Sequence, residues 1–76
     1  MSKFEKLVQS ILNAEPISYN EAESLLKKLG FSLRIRGSHH VFAKKAYEKN
    51  VSLKKRNQLL PYQVRLLQEV LKDHGY

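Results

Sequence analysis

Two short strand-like segments, one on each side of a glycine, constrain the fold of this chain more than any other feature. Residues 31–36 alternate between apolar and polar side chains, residues 39–45 contain the apolar run 41–43, and Gly37 and Ser38 separate the two segments. Alternation with a period of two is typical of half-buried β-strands. A two-residue connection that contains glycine is typical of a tight hairpin. The sequence therefore predicts two antiparallel strands joined at Gly37 and Ser38.

Helical periodicity flanks this hairpin on both sides. Residues 3–13 place apolar side chains three and four positions apart, as an amphipathic helix does. A second helix is predicted after Ser18, which can form a capping box with Glu21, and Gly30 suits the left-handed residue at its end. A third helix is predicted to begin at Pro61, because proline is favoured at the first helical position.

A second turn over residues 46–50 and a short third strand over residues 51–53 complete the predicted elements. The fold class is therefore α+β: an α-β-β-β-α domain with a three-stranded antiparallel sheet and two helices on one face. An additional helix lies at the N-terminus, within residues 1–15. A chain of 76 residues has room for one modest core, so we expect a single domain over 1–76, with the α-β-β-β-α part at 18–74.

Composition excludes several classes of protein and site. The chain has no cysteine, which excludes disulfides, thiolate catalysis and cysteine-bound zinc. Its hydrophobic fraction of 42% is too high for a disordered tail. The first predicted helix lacks the apolar run of a signal peptide, and no segment is apolar for long enough to span a membrane. We therefore expect a cytoplasmic protein with no membrane partner.

Positive charge is concentrated in the middle of the chain. The formal net charge is +7, and between Lys27 and Arg56 there are ten basic residues and one acid, Glu48. Such a zone indicates a polyanionic partner, although a merely solvated basic face is the simpler alternative. Because two adjacent histidines, His39 and His40, lie in the same zone, we favour nucleic acid.

The alternation also predicts which histidine faces outward. Successive side chains of a strand point to opposite faces of the sheet. Phe42 is the large apolar group of the second strand, so we place it inward, which directs His39 outward beside Arg34 and Arg36. A slip of one residue in the register would exchange His39 and His40.

An outward histidine among arginines suggests chemistry on a phosphodiester. Histidine can both donate and accept a proton near cellular pH, so we assign His39 as the general acid or base. Arg34, Arg36 and Lys44 are expected to bind phosphate. The second proton-transfer role stays open between His40, in a slipped register, and water. No metal site is predicted, because adjacent strand residues point to opposite faces and make a poor chelating pair.

These residues resemble a known family. Gly30-Phe31, the strand that ends in Arg36, and the segment 37–42 are similar to the signature of HicA-type toxins of bacterial type II toxin–antitoxin systems, and the resemblance covers residues 18–73. It implies a fold like that of a double-stranded-RNA-binding domain. It also implies metal-independent cleavage of mRNA by an endoribonuclease (an mRNA interferase) that needs no cofactor. The catalytic histidine of the family corresponds to His39, and a HicB-type antitoxin is the implied protein partner.

Further residues are expected at the RNA. Lys54, Lys55 and Arg56 follow the predicted third strand and are too highly charged as a group to be buried. We expect them to contact the phosphate backbone, which strengthens binding without conferring sequence specificity. Ser38, in the hairpin turn next to His39, completes the predicted RNA-binding set.

Two other functions stay open at this point. A non-catalytic RNA-binding module would use the same fold and charge without needing His39. An adaptor domain would instead use the apolar side of the helix within residues 1–15 to dock on another protein. The sequence is compatible with a homo-oligomer and with a toxin–antitoxin hetero-oligomer.

Overall fold

The helices and strands follow one another in the predicted order in the computed structural model, which describes residues 2–76. They are α1 (Lys3–Leu12), α2 (Tyr19–Lys28), β1 (Ser32–Arg36), β2 (His39–Lys44), β3 (Tyr47–Lys54) and α3 (Pro61–Asp73). The three strands form one antiparallel sheet in the order β1-β2-β3. The predicted α+β layout is thereby confirmed. Met1, the first residue of the predicted N-terminal segment, lies outside the described residues.

Local hydrogen bonds and one glycine determine where α2 begins and ends. Ser18 Oγ accepts a hydrogen bond from the Glu21 N–H at 3.1 Å, and the Glu21 carboxylate accepts one from the Ser18 N–H at 3.0 Å. This reciprocal pair is the predicted capping box. At the other end, Gly30 has a φ of +99°, a conformation that glycine adopts without steric cost. Both predicted boundaries of α2 are confirmed.

The hairpin between β1 and β2 is as tight as the sequence predicts. Arg36 pairs directly with His39, so Gly37 and Ser38 alone form the connection. Gly37 has a φ of +59°, whereas Ser38 is not among the residues with positive φ. Positive φ at the first central position only is the pattern of a type II′ turn, which matches the twist of the two strands.

The third strand is longer than predicted. We expected a turn over residues 46–50 and a strand over 51–53 only, but β3 begins at Tyr47. The Tyr47 ring packs edge-on against Phe31 with 5.6 Å between ring centroids, and its hydroxyl donates a hydrogen bond to Asp73 at 2.6 Å. That hydrogen bond lowers the pKa of Asp73. These contacts hold the polar residues 47–50 in the sheet. They involve residues of other elements, so the sequence of 47–50 alone does not reveal them.

The pairing of β2 with β3 contains a bulge. Phe42 pairs with Val51, but Lys44 pairs with Tyr47, and the chain reverses through residues 45–46. Residues 48–50 of β3 therefore lie opposite Ala43, the one residue of β2 between Phe42 and Lys44. Extra residues of this kind bend a strand and re-aim its side chains. The prediction of a second strand reaching residue 45 was thus one residue too long.

One hydrophobic core joins the three helices to one face of the sheet. Its completely buried members come from α1, α2, β2 and α3, and they are Ile11, Ala22, Leu25, Leu26, Phe42, Leu67 and Leu71. The Gln68 side chain in α3 also donates a hydrogen bond to the Ile11 carbonyl at 2.9 Å. The first helix is therefore part of the core. Within residues 2–76, no helix has the length and apolar character needed to cross a membrane.

Burial on the inner face decreases along β1. We expected Phe31, Leu33 and Ile35 all to lie under the helices. Phe31 is buried and Leu33 is half-buried, but Ile35 is 61% exposed. Ile35 lies next to the hairpin turn on the edge strand β1, so the prediction for this residue was wrong.

Candidate functional site

The strand register places His39 between two cations. His39 lies on the central strand, with Arg36 of β1 directly opposite on one side and Lys54 of β3 directly opposite on the other. Residues paired in this way have Cβ atoms about 4.5–5.5 Å apart. All three side chains are exposed. We call Arg36, His39 and Lys54 the histidine row.

A second row lies beside the histidine row on the same face. Arg34, Val41 and Ser52 are paired across the three strands, and each precedes or follows a member of the histidine row by two residues. Two residues along a strand span roughly 7 Å. The face that carries both rows points away from the helices, and its residues are exposed or half-buried. We call it the open face.

The open face contains a cavity next to the histidine row. Its volume is ≈ 330 Å³, and it is lined by Arg34, Arg36, Val41, Ala43 and Asn50. Val41 and Ala43 alternate with the inward-pointing Phe42, so both face the cavity. Their apolar side chains form its floor. We call this space the open-face cavity.

The cations of the open face are not neutralised by acids. The ion pairs formed among residues 2–76 are Lys27–Glu23 and Lys49–Asp73. Neither includes Lys54 or the two arginines of the open face. Guanidinium groups with free donors bind phosphate oxygens in a bidentate manner. The surface around His39 is therefore suited to an anion with several oxygen atoms.

His40 lies on the opposite face, so the predicted register is confirmed. Phe42 is completely buried, as its inward placement requires. The His40 Nδ1 atom lies 2.6 Å from the hydroxyl oxygen of Tyr19, which is itself buried, and the two rings pack edge-on. The slipped register, which would bring His40 to the open face, does not occur.

The Tyr19 hydroxyl contacts His40, and the acid Glu23 of α2 lies near Tyr19. Burial and the nearby Glu23 raise the pKa of Tyr19 well above its usual value. In return, hydrogen bonding from Tyr19 lowers the pKa of Glu23, and the charge of Lys27 lowers it further. Tyr19 and His40 share one hydrogen bond, in which the phenol and the imidazole can each act as the donor. His40 thus stabilises the fold through its contact with Tyr19, and its side chain does not lie on the open face.

This arrangement predicts different stability effects for the two histidines. His40→Ala should lower the free energy of unfolding by about 1–3 kcal/mol, because it leaves the buried Tyr19 hydroxyl without one partner. His39→Ala should change it by less than about 0.5 kcal/mol, as is usual for exposed positions. Urea unfolding of both variants measures the difference. In Tyr19→Phe, the cost of His40→Ala should shrink, since the two groups are in contact. Equal effects of the two histidine variants would contradict this role.

The structure does not bring Lys44 to the predicted site. Its Nζ atom lies 3.0 Å from Nε2 of His74 and 5.8 Å from the centre of the Phe31 ring. His74 Nδ1 in turn lies 2.7 Å from the Val70 carbonyl, which orients the ring. Lys44 therefore belongs to the inner side of the sheet, at the C-terminal end of α3, and we leave it out of the candidate site.

The other predicted RNA-binding residues lie in two places. Ser38 is exposed in the turn directly before His39. Lys55 and Arg56 are also exposed, but they line a different cavity of ≈ 240 Å³ together with Tyr19 and other residues at the start of α2. The structure therefore joins Arg34, Arg36, Lys54 and His39 on the open face. Lys55 and Arg56 extend the positive charge beyond it.

One lining residue, Asn50, escaped the sequence analysis. We had assigned residues 46–50 to a turn, so no facing direction was predicted for it. Val51 and Leu53 are buried, and Ser52 is exposed. Extending this alternation backwards along β3 would have placed Asn50 on the face of Ser52. This alternation was present in the sequence, but it could be applied to Asn50 only if the start of β3 were known.

No group of three or more histidine, aspartate or glutamate side chains within residues 2–76 is placed to hold a metal ion. Comparison of the chain with known protein families, with curated proteins and with solved structures found no match. Function therefore has to be inferred from the residues of the open face.

Proposed function

We propose that this protein is a small endoribonuclease that cleaves mRNA, and that it is the toxin component of a bacterial type II toxin–antitoxin system. The observation that supports this most strongly is the histidine row, in which exposed His39 lies between Arg36 and Lys54 on the central strand. The row combines a group that transfers protons with cations that bind phosphate, and RNA cleavage needs both.

The chemistry follows from RNA itself. The 2′-hydroxyl oxygen attacks the adjacent phosphorus and the 5′-oxygen leaves, so the products end in a 2′,3′-cyclic phosphate and a 5′-hydroxyl. His39 either accepts the proton of the 2′-hydroxyl or donates one to the 5′-oxygen, which typically contributes about 10²–10⁴-fold. Because His40 faces the core, water takes the other proton-transfer role. Arg36 and Lys54 stabilise the charge that develops on the phosphate, where one well-placed donor is worth roughly 3–4 kcal/mol.

The resemblance of the segment 37–42 to HicA-type toxins supports the same function and adds a partner. An enzyme that destroys mRNA in the cytoplasm requires control, and a HicB-type antitoxin would supply it by covering the open face. The unpaired cations there favour an acidic partner surface. We propose on this basis a cytoplasmic toxin that forms a hetero-oligomer with its antitoxin.

The test of this function is cleavage of a defined single-stranded RNA in the presence of EDTA. We expect the purified protein to produce discrete fragments on a denaturing gel, with cyclic phosphate at the new 3′ ends. RNA binding without any fragment would instead favour the second candidate, a non-catalytic RNA-binding module. One observation favours that alternative: the open face offers a single histidine, not the pair that acid–base catalysis most readily uses.

Two lysines of β3 provide a matched test of where RNA binds. Lys54 lies opposite His39 in the histidine row and is in neither of the ion pairs formed among residues 2–76. Lys49 forms an ion pair with Asp73 at 3.3 Å. Lys54→Ala should weaken RNA binding and reduce the slope of log affinity against log salt by about 0.7, the value for one phosphate contact on a single strand. Lys49→Ala should leave the slope unchanged. Fluorescence anisotropy at several salt concentrations measures both, and equal losses would indicate that only net charge matters.

A further inference from the structure

We propose that the open-face cavity binds one nucleobase of the RNA and that the side-chain amide of Asn50 recognises its edge, with a preference for adenine. This inference rests on the proposed function for the identity of the ligand as RNA. It adds a base-specific subsite next to the phosphate at His39.

The position of the cavity relates it to the site of cleavage. Arg36 both lines the cavity and belongs to the histidine row. Val41, on the cavity floor, follows His39 by two residues on the same strand, a distance of roughly 7 Å. A base in the cavity would therefore belong to a nucleotide next to the phosphate that contacts His39.

The size and floor of the cavity suit a single base. Its volume of ≈ 330 Å³ is at the lower end of the range for small-molecule sites, about 300–1,000 Å³. Val41 and Ala43 are half-buried and apolar, so they provide a surface for a flat ring. Arg34 and Arg36 stand beside that floor, and guanidinium planes are established stacking partners of unpaired RNA bases.

Asn50 supplies hydrogen-bonding capacity that the arginines lack. Arginine side chains only donate hydrogen bonds, whereas the asparagine amide both donates and accepts. The bulge of β3 leaves residues 48–50 opposite Ala43, and Asn50 among them lines the cavity on the open face. Its side chain is exposed and is available to a ligand. On the edge that carries N7, adenine offers a donor (N6–H₂) and an acceptor (N7) side by side, which an asparagine amide contacts in a bidentate manner, whereas the corresponding edge of uracil offers only the O4 acceptor.

Binding of short oligoribonucleotides tests the subsite independently of catalysis. In the His39→Ala background we would compare three single-stranded hexamers: all-uridine, uridine with one adenine, and uridine with one abasic position, using fluorescence anisotropy. The adenine-containing RNA should bind about tenfold more tightly than the all-uridine RNA, the lower part of the range for a bidentate amide–base pair. Asn50→Ala should remove this preference. Asn57→Ala, a change at an exposed asparagine outside the cavity, should retain it.

A second measurement locates the contact. The side-chain NH₂ resonances of Asn50 should shift on addition of the adenine-containing hexamer and stay in place with the abasic one. Thermal unfolding of Asn50→Ala checks that the exposed substitution leaves the fold intact.

The outcomes separate this proposal from the proposed function. Equal binding of all three hexamers, with cleavage of RNA by the parent protein, would overturn the base subsite and leave the nuclease in place. An adenine preference that depends on Asn50, in a protein that never cleaves, would support the subsite and overturn the nuclease. Failure to bind any of the three RNAs would overturn both.

Discussion

His39→Ala should reduce RNA cleavage by about 10²–10⁴-fold while the protein still folds and binds RNA. The side chain is exposed on the central strand, so its removal creates no cavity in the core. The flanking cations, Arg36 and Lys54, supply phosphate contacts that alanine at position 39 does not affect. Loss of a positioned acid or base should reduce the cleavage rate by about 10²–10⁴-fold. The measurement is a time course on a denaturing gel in EDTA, with anisotropy binding in the same buffer.

The neighbouring histidine provides the matched control for this result. His40→Ala alters the same residue type one position along the chain, but its side chain contacts Tyr19 on the inner face. The variant should lose stability and, at a temperature where it is folded, cleave RNA at close to the parental rate. Cleavage by His39→Ala at the parental rate, or loss of cleavage in folded His40→Ala, would contradict the assignment of His39.

Ile11→Ala should destabilise the protein by about 2–5 kcal/mol, the range measured when alanine replaces a large aliphatic residue in a core. Ile11 has no exposed surface and packs in the core with Leu7 and Val8 of the same helix. Small domains have total stabilities at or below the usual 5–15 kcal/mol, so this one change should remove a large share. Deletion of residues 1–15 should abolish the cooperative unfolding transition altogether. Urea unfolding followed by circular dichroism measures both effects.

Gln9→Ala is the control on the exposed side of the same helix, and it should change stability by less than about 0.5 kcal/mol. The comparison also tests the adaptor function considered for the N-terminal helix. The apolar side of α1 is buried against α2 and α3 of its own chain, so it is already occupied. A stable, RNA-cleaving protein without residues 1–15 would show instead that α1 is free to serve another purpose.

Local patterns predicted most of the fold that carries His39. The capping box at Ser18, the turn at Gly37 and the inward placement of Phe42 each depend on a few consecutive residues, and all three are confirmed. The start of β3 depends on Tyr47, which contacts Phe31 and Asp73 from other elements. No local pattern contains those contacts, which is why a strand segment was predicted as a turn and Asn50 was overlooked.

By itself, the sequence determined that His39 faces outward next to Arg34 and Arg36, because side-chain alternation is a property of a single strand and its nearest neighbour. Only the tertiary structure decided which other cation joins them. Lys44 follows the inward-pointing Phe42 by two residues, so alternation alone directs it inward, where it contacts His74. Lys54, fifteen residues from His39, lies directly opposite it because β2 pairs with β3 in this register. That register is set by packing between distant residues, since a register is a relation between strands and not a property of either one.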